Sequence, residues 1–367
     1  MVLVRRTRAG GACRLGGRVT GPPAPLAPAV ARLEPGSVSP ALVTALYTGA
    51  VLSRADAALL TLTGPGAVTC AQGLLTNDLE QAGDGAFVYG ALLTPKGMIV
   101  VDAWAARLGT TVGFTVPGDG RDRAVAIFTR SVPPRLARLH DHVAEVVIYR
   151  LTGPRVFAAA AAAGLEVPPA PGRVVMSAGE VVTARATDLA PFALQVTVPV
   201  AQHERLASRL VAAGAVEADP AVLELARILA GWPRLGAEVD EKTIPQEVRF
   251  DELGGVSYTK GCYTGQETVA RLHFRGHANR QLRGLLFDPE PPAAPAQGWT
   301  AVMHLDREVG RVTSLAFVPE SGVSGAGRWL GLAVIRREVA AGAMVRAAGR
   351  DARVVDLPFA FPVAAPA

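Results

Sequence analysis

The stretch KGCYTGQETVARLHFRGHANRQL, Lys260 to Leu282, lies where the pattern of the chain changes. Before it, helical and strand spacings follow one another without strict alternation, which predicts an α+β body. After it, short apolar runs such as 285–287, 301–304 and 309–317 are separated by Gly and Pro turns. These runs predict a small β-barrel or sandwich of about 80 residues. The stretch therefore marks a domain junction, a place where pockets tend to form.

Cys262 has the most reactive side chain of this stretch. Thr264 and Glu267 are spaced as a capping box, which predicts a helix beginning at Gly265. Cys262 would then precede the positive end of a helix and follow the Lys260 ammonium by two residues, and both features favour thiolate over thiol. We therefore predict a functional thiol at Cys262, tuned by Lys260. The alternative, a small buried hydrophobic side chain, is open at this point.

Composition narrows the class of protein. The chain has 367 residues, half of them hydrophobic, which is enough for two or three domains with cores of their own. Its net charge of +5 comes largely from arginines before Glu34. Aromatic residues make up only 5%, which disfavours a platform that stacks single-stranded nucleic acid. Three widely spaced cysteines without a CxxC pair suit a reducing compartment and predict no metal site.

The first 45 residues are predicted to be a disordered basic leader. They are rich in Arg, Gly, Pro and Ala and lack helical or strand periodicity. The leader resembles an organelle transit peptide in charge but is poor in Ser, so a non-native extension is equally open. No apolar run is long enough to predict a membrane-spanning helix. We expect a cytoplasmic protein, or a mitochondrial one if the leader is a transit peptide.

A run of basic residues follows Glu267, and no acidic residue occurs between Glu267 and Asp288. A solvated surface is the simplest interpretation, and an anion site beside the junction is the alternative, because Arg binds carboxylates and phosphates through two parallel hydrogen bonds. His273 and His277 are four residues apart, but Gly276 between them argues against a helical metal site. We expect direct binding of nucleic acid to be absent, although a contact of residues 271–283 with tRNA is a third hypothesis.

Several motifs together resemble the YgfZ family, folate-binding relatives of the glycine-cleavage T-protein (GcvT, aminomethyltransferase). The signature Lys260-Gly261-Cys262-Tyr263-Thr264-Gly265-Gln266-Glu267 carries most of this resemblance. Matching elements are the QGLLTND segment at 72–78, the TPKG turn at 94–97, the GWP segment at 231–233 and the IPQE segment at 244–247. The similarity extends over residues 47–359, which is nearly everything but the leader.

The resemblance implies a multidomain fold around a central folate-binding channel, closed by a C-terminal β-barrel. It divides the chain into the leader at 1–45, a GcvT-like subdomain at 46–150, a second subdomain with the signature at 151–281, and the barrel at 282–367. It also implies tetrahydrofolate, or a folate derivative, as cofactor. The residues expected to bind it are Asn77, Asp78, Arg227, Glu247, Tyr263, Gln266, Glu267 and Arg271.

The function implied is that of a folate-binding accessory protein in iron–sulfur cluster assembly or repair, with an activated cysteine at the folate site. It would support iron–sulfur enzymes including those that modify tRNA. Its expected partners are folate and iron–sulfur client or assembly proteins, and we expect a monomer. The alternative is a tetrahydrofolate-dependent aminomethyltransferase. T-proteins carry paired aspartates after the hairpin turn, whereas this chain has Val101 before Asp102. Loss of one carboxylate argues against aminomethyl transfer, and whether the chain is an enzyme stays open.

Overall fold

The computed structural model describes residues 29–287, 291–293, 298–320 and 326–359. In chain order the first half contains β1 (Ala31–Leu33), α1 (Pro40–Thr48), β2 (Val51–Arg54), β3 (Ala57–Thr63), α2 (Ala67–Gln72), β4 (Phe87–Leu93), β5 (Ile99–Leu108), β6 (Thr111–Pro117), α3 (Arg121–Ser131), β7 (Arg138–Asp141) and β8 (Val146–Thr152). The second half contains α4 (Val156–Ala162), β9 (Arg173–Met176), β10 (Val182–Arg185), β11 (Leu194–Pro199), α5 (His203–Ala212), β12 (Val216–Ala218), α6 (Ala221–Ala230), α7 (Gln266–Arg275), β13 (Arg280–Phe287), β14 (Thr300–His304), β15 (Arg307–Pro319), β16 (Gly327–Arg336), β17 (Met344–Ala347) and β18 (Arg350–Val355).

Two sheets form the body of the molecule. The first has the order β4-β5-β6-β3-β7, and the second has the order β12-β2-β8-β11-β10-β9. Successive side chains of a strand point to opposite faces of its sheet. In the second sheet Tyr149 and Val196 therefore pack in a core with α4 and α5, while Gln195 faces the first sheet and donates to Thr115 Oγ1 at 2.8 Å. The two sheets thus lie face to face, and helices cover their outer sides.

The C-terminal part is a closed barrel. Its strands follow the ring β15-β14-β17-β18-β13-β16, which returns to β15 through a further pairing, and all of these pairs are antiparallel. Strand β1 joins the outside of the ring in parallel with β15. Closure removes the unpaired edges that an open sheet would expose. The predicted α+β fold with a C-terminal β-barrel is confirmed.

A buried carboxylate joins the barrel to the body. Glu238 is fully buried and accepts hydrogen bonds from Arg227 Nη1 at 2.8 Å and from Thr313 and Ser314 of β15 at 2.7 and 2.6 Å. A buried charge is tolerated only when it is paired and its lone pairs are satisfied. These contacts therefore fix the end of α6 against β15, and α6 also lines the cavity described below.

Two boundaries differ from the sequence predictions. Residues 31–45 are not disordered, because β1 pairs with the barrel and α1 begins at Pro40 after Ser39, whose side chain accepts from Leu42 N at 3.2 Å. Residues 1–28 of the predicted leader, including Cys13, lie outside the described residues. The predicted subdomain boundary at residue 150 falls inside β8, and both β2 and β8 belong to the sheet completed by β9 to β12. Long-range pairing of this kind leaves no local mark in the sequence.

The predicted capping box is also wrong. Helix α7 begins at Gln266, after Gly265 in the left-handed conformation (φ 83°), with no side-chain cap. Tertiary contacts decide this start: a Cβ at Gly265 would lie 2.6 Å from Thr94 O, in the hairpin turn between β4 and β5. Thr264 instead donates its backbone N–H to Gly73 O at 3.0 Å.

Candidate functional site

The signature segment is fastened to the body by Lys260. Its side chain is 7% exposed, and Nζ donates to the carbonyl oxygens of Gln72, Leu75 and Asn77 at 2.7, 2.8 and 2.8 Å. Burial lowers the pKa of Lys260 to about 8, so the ammonium form with three donors still prevails at neutral pH. All three donors are used, one by the carbonyl of the last residue of α2 and two by carbonyls of the loop that follows it. Lys260 is therefore a clamp between the KGCYTGQE and QGLLTND segments, and no donor is left for the Cys262 sulfur.

Cys262 itself is exposed. The next residue, Tyr263, is buried, and its ring centroid lies 5.2 Å from Lys260 Nζ. Burial raises the pKa of Tyr263 to about 12. The chain thus alternates a buried lysine, an exposed thiol and a buried tyrosine, so the thiol is presented outward by anchored neighbours. The interpretation of Cys262 as a small buried hydrophobic side chain does not hold; its function as an activated thiol stays a prediction.

Asn77 and Asp78 organise the same junction. Asn77 Nδ2 donates to Tyr89 O and Gly254 O, both at 2.7 Å. Asp78 Oδ1 accepts from Gln72 Nε2 and from the backbone of Glu80 and Gln81. Burial would raise the pKa of Asp78, but these hydrogen bonds outweigh it and the pKa is lowered. Both side chains therefore hold the loop after α2 in place.

A cavity of about 390 Å³ lies between the two sheets and the start of α6. Trp104 of β5, Phe192 and Trp232 provide aromatic walls, and Trp104 and Trp232 are stacked with centroids 5.8 Å apart. Asp102, Asp119, Arg150, Glu224, Arg227 and Arg234 contribute the charged groups. Flat apolar walls with a few converging polar groups are typical of sites that bind an aromatic ligand.

Asp102 is a carboxylate of this cavity whose pKa lies well above its ordinary value. Oδ2 accepts from Tyr89 Oη at 3.1 Å, while Oδ1 is buried and has no hydrogen-bond partner among the described residues. Burial raises the pKa of Asp102 to about 6, although the Tyr89 hydrogen bond and the Arg150 charge partly offset it. Arg150 lies over the Phe192 ring at 4.4 Å. Asp102 Oδ1 therefore has unused acceptor capacity, and the pKa of the group lies close to neutral pH.

Arginines line the side of the cavity near α6. Arg227 is buried and pairs with Glu224 at 2.7 Å and with Glu238 at 2.8 Å. Arg234 lies 3.3 Å from Glu224 and is 45% exposed. Burial alone would raise the pKa of Glu224, but Arg227 and Arg234 hold it at about 2. Arg227 is thus committed to structure, whereas Arg234 is accessible to an anionic group entering from solvent.

The residues that were predicted from the sequence to form one folate site lie at different places in the structure. Of the predicted folate ligands, only Arg227 is among the cavity-lining residues; the rest are elsewhere in the described part of the chain. Glu247 is half-buried beside Ile244 N at 3.4 Å, and burial raises its pKa. Gln266, Glu267 and Arg271 are on α7, and Arg271 and Glu267 are exposed. Asn77, Asp78 and Tyr263 belong to the Lys260 junction. Cys262 is at that junction too and is not among the residues that line the cavity, so its predicted place beside the folate is not found here.

The argument drawn from Val101 is also corrected. Val101 is fully buried and faces the helices, since a Cβ added at Gly120 before α3 would lie 2.6 Å from its Cγ2. Asp102, one residue later, faces the opposite way into the cavity. The replacement at 101 therefore does not remove a carboxylate from the cavity. Alternation of Val101, Ala103 and Ala105 with Asp102 and Trp104 was the signal that could have located both cavity residues.

Comparison with known proteins decides the family. The model of the GCVT N-terminal domain matches residues 56–253, just over half of the chain. The tRNA-modifying protein YgfZ of Serratia proteamaculans is 30% identical over 233 residues, which cover 63% of this chain and 69% of that protein. The chain belongs to the YgfZ/GcvT-like family.

Other members of the YgfZ/GcvT-like family are similar over different lengths. An aminomethyltransferase of Rubrobacter xylanophilus is 29% identical over 308 residues, covering 81% of this chain and 79% of that one. The crystal structure of the glycine cleavage aminomethyltransferase T from Bartonella henselae superposes with a TM-score of 0.72 at 17% identity, over 88% of this chain and 89% of that chain. This structural likeness establishes a shared fold.

Two kinds of feature are absent from the described ranges. None of the helices there is long and apolar enough to cross a membrane. No three His, Cys, Asp or Glu side chains of the described residues come together as ligands for a metal ion.

Proposed function

We propose that this chain is a folate-binding accessory protein of the YgfZ type that supports tRNA modification through iron–sulfur cluster assembly or repair. The proposal that the chain binds folate rests on the cavity that contains Asp102. The iron–sulfur part is supported by the signature resemblance and by the exposed thiol of Cys262. The tRNA part is supported by the YgfZ relatives.

The cavity residues fit a folate. A pterin is flat and carries N–H donors along one edge, which match aromatic walls and an acceptor with no other partner. Trp104, Phe192 and Trp232 supply the walls, and Asp102 Oδ1 supplies the acceptor. The glutamate tail of folate carries carboxylates, for which the accessible Arg234 offers a two-pronged partner. A volume of about 390 Å³ is within the usual range of ligand pockets.

Folate, when bound, supplies a carrier for one-carbon units. The chain itself would orient the pterin through the Asp102 carboxylate, which is mostly ionised at pH 7 and gains a proton as the pH falls through about 6. Tyr89 fixes the rotation of the Asp102 side chain by donating to Oδ2 at 3.1 Å. The aromatic walls would exclude water from the ring.

Calorimetric titration with tetrahydrofolate tests the site. Asp102→Asn should weaken binding about 10-fold or more, because a hydrogen bond to a charged acceptor contributes about 1.5–3 kcal/mol. Glu247→Gln tests the location predicted from sequence, and the exposed Asp188→Asn controls for loss of one negative charge. Weakening by Glu247→Gln but not by Asp102→Asn would move the site away from the cavity. Absence of binding by the unaltered protein would refute the proposal.

The thiol is tested separately by complementation. Cys262→Ser should abolish rescue of a strain that lacks a YgfZ-type factor, while the folded protein remains as stable as before, because the side chain is exposed. Cys70→Ala, on α2, is the matched control and should rescue. Full rescue by Cys262→Ser would remove the thiol from the function.

A second candidate function is tetrahydrofolate-dependent aminomethyl transfer. One observation favours it: Asp102, the member of the aspartate pair that this chain retains, lines the cavity. A carboxyl group with a pKa near neutrality suits general acid–base chemistry. Release of an aminomethyl group from a lipoyl carrier, followed as ammonia in the presence of tetrahydrofolate, distinguishes the two functions. No turnover by a protein that binds tetrahydrofolate would leave the accessory function.

A further inference from the structure

Helix α7 presents an exposed face that the proposed folate site does not use. Arg271, Phe274 and Arg275 follow an i, i+3, i+4 spacing, which places them on one side of the helix. Phe274 is 67% exposed, and both arginines are exposed. Neither arginine has a hydrogen bond or ion pair with any residue that the structure describes. This face of α7 thus presents an exposed aromatic ring between two arginine side chains that are free to bind a partner.

The opposite side of α7 is held rigidly. The His273 ring stacks on Tyr258 with centroids 3.6 Å apart, and Asp251 accepts from Tyr258 Oη at 2.5 Å. Gln246 Nε2 donates to Val269 O at 2.9 Å, and the Val269 side chain is buried. These contacts fix the helix before any partner arrives. A surface that is ordered in advance loses less entropy on binding.

The positive surface continues from α7 onto the barrel. Arg280 and Arg336 are directly opposite on paired strands β13 and β16, an arrangement in which like charges repel. Two grooves, of about 610 and 620 Å³, share Arg336. One also contains Arg280, Trp299 and Glu308, and the other contains His277, Arg337 and Glu338. Trp299 is covered by Arg311, whose guanidinium carbon lies 3.7 Å from the ring centroid.

We infer that this face, Arg271, Phe274, Arg275, Arg280, Arg336 and Arg337, binds RNA that carries unpaired bases. Arginines spaced along a groove follow a phosphate backbone, and an exposed aromatic ring stacks on an unpaired base. An acidic protein would satisfy the arginines equally well, but the exposed Phe274 ring, which His273 supports edge-on with centroids 4.9 Å apart, lies between two cations and favours a ligand that alternates charge and flat bases. The inference rests on the proposed function only for the choice of tRNA as the probe.

Fluorescence anisotropy with a labelled, unmodified tRNA transcript and the full-length protein tests this inference. The variant combines Arg271→Gln, Arg275→Gln and Arg280→Gln. The matched control combines Arg130→Gln, Arg135→Gln and Arg205→Gln, three exposed arginines on other elements. Each lost phosphate contact lowers the salt slope by about 0.7, so between 50 and 200 mM salt the unaltered protein should lose about 20-fold more affinity than the variant. The control should behave like the unaltered protein.

Phe274→Ala tests the stacking part. It should weaken tRNA binding about 5-fold or more without changing the salt slope, and it should leave binding to a fully paired RNA duplex unchanged. Equal affinities of the basic variant and its control for tRNA, or no tRNA binding at 50 mM salt, would overturn the inference. So would a basic variant that loses function in cells but keeps its affinity for tRNA, because the surface would then serve a protein partner.

The two proposals fail independently. Tetrahydrofolate titration of the basic variant should match the unaltered protein, since none of the three arginines lines the cavity. Binding of tRNA without binding of tetrahydrofolate would refute the proposed function and leave this inference standing.

Discussion

Asp102 should destabilise the ligand-free protein at neutral pH, and removing its charge should therefore stabilise the fold. Its pKa is about 6 in the folded protein against an ordinary value of 3.8. At about 1.36 kcal/mol per pH unit, this difference corresponds to about 3 kcal/mol. The attraction of Arg150 is already included in that pKa. Asp102→Asn keeps the shape of the side chain and an oxygen acceptor for the Tyr89 hydroxyl.

The direction of this pH dependence of stability follows from proton binding. Because the folded state binds the Asp102 proton more tightly than the unfolded state, its contribution to stability is fully present below pH 3.8 and is lost as pH rises through 6. The free energy of unfolding of Asp102→Asn should thus exceed that of the unaltered protein by up to about 3 kcal/mol at pH 7.5. The difference should shrink as pH falls toward 4.

Urea unfolding followed by tryptophan fluorescence measures this difference, since Trp104 is a close neighbour of Asp102 on β5. The exposed Asp188→Asn is the matched control and should change stability by less than about 0.5 kcal/mol at every pH. A gap between Asp102→Asn and the unaltered protein that stays constant from pH 5 to 7.5 would refute the assignment of a perturbed carboxyl group. The same variant should bind tetrahydrofolate less well, so stability and binding would change in opposite directions.

Two further variants test the junction that presents Cys262. Lys260→Met retains the length of the side chain but leaves three buried carbonyls without a donor. This variant should therefore lower the free energy of unfolding, measured in urea, by about 3 kcal/mol or more. Gly265→Ala should lower it by about 2 kcal/mol, because φ is 83° and the new Cβ would meet Thr94 O at 2.6 Å; Gly261→Ala, with open space around it, is its control. Unchanged stability of either variant would show that the junction does not hold the signature loop.

The sequence alone predicted the elements whose signals are local. The hairpin turn at residues 94–97 and the strands of the barrel both follow from periodicity and turn residues. The signature and its companion motifs indicated the family. The contact that joins residues 72–78 to residues 260–267 through Lys260 was not predicted from these motifs and is visible only in the structure.

The cavity was decided by tertiary structure. Asp102, Arg150 and Trp232 are far apart in the chain and converge because two sheets pack face to face. Which of Val101 and Asp102 enters the cavity depends on which face of β5 the helices cover, and this is settled by packing. The start of α7 likewise depends on the close approach of Gly265 to the turn at 94–97, a contact that overrides local capping preference. Patterns along the chain encode local conformation, whereas the position of a buried charge depends on contacts between distant segments.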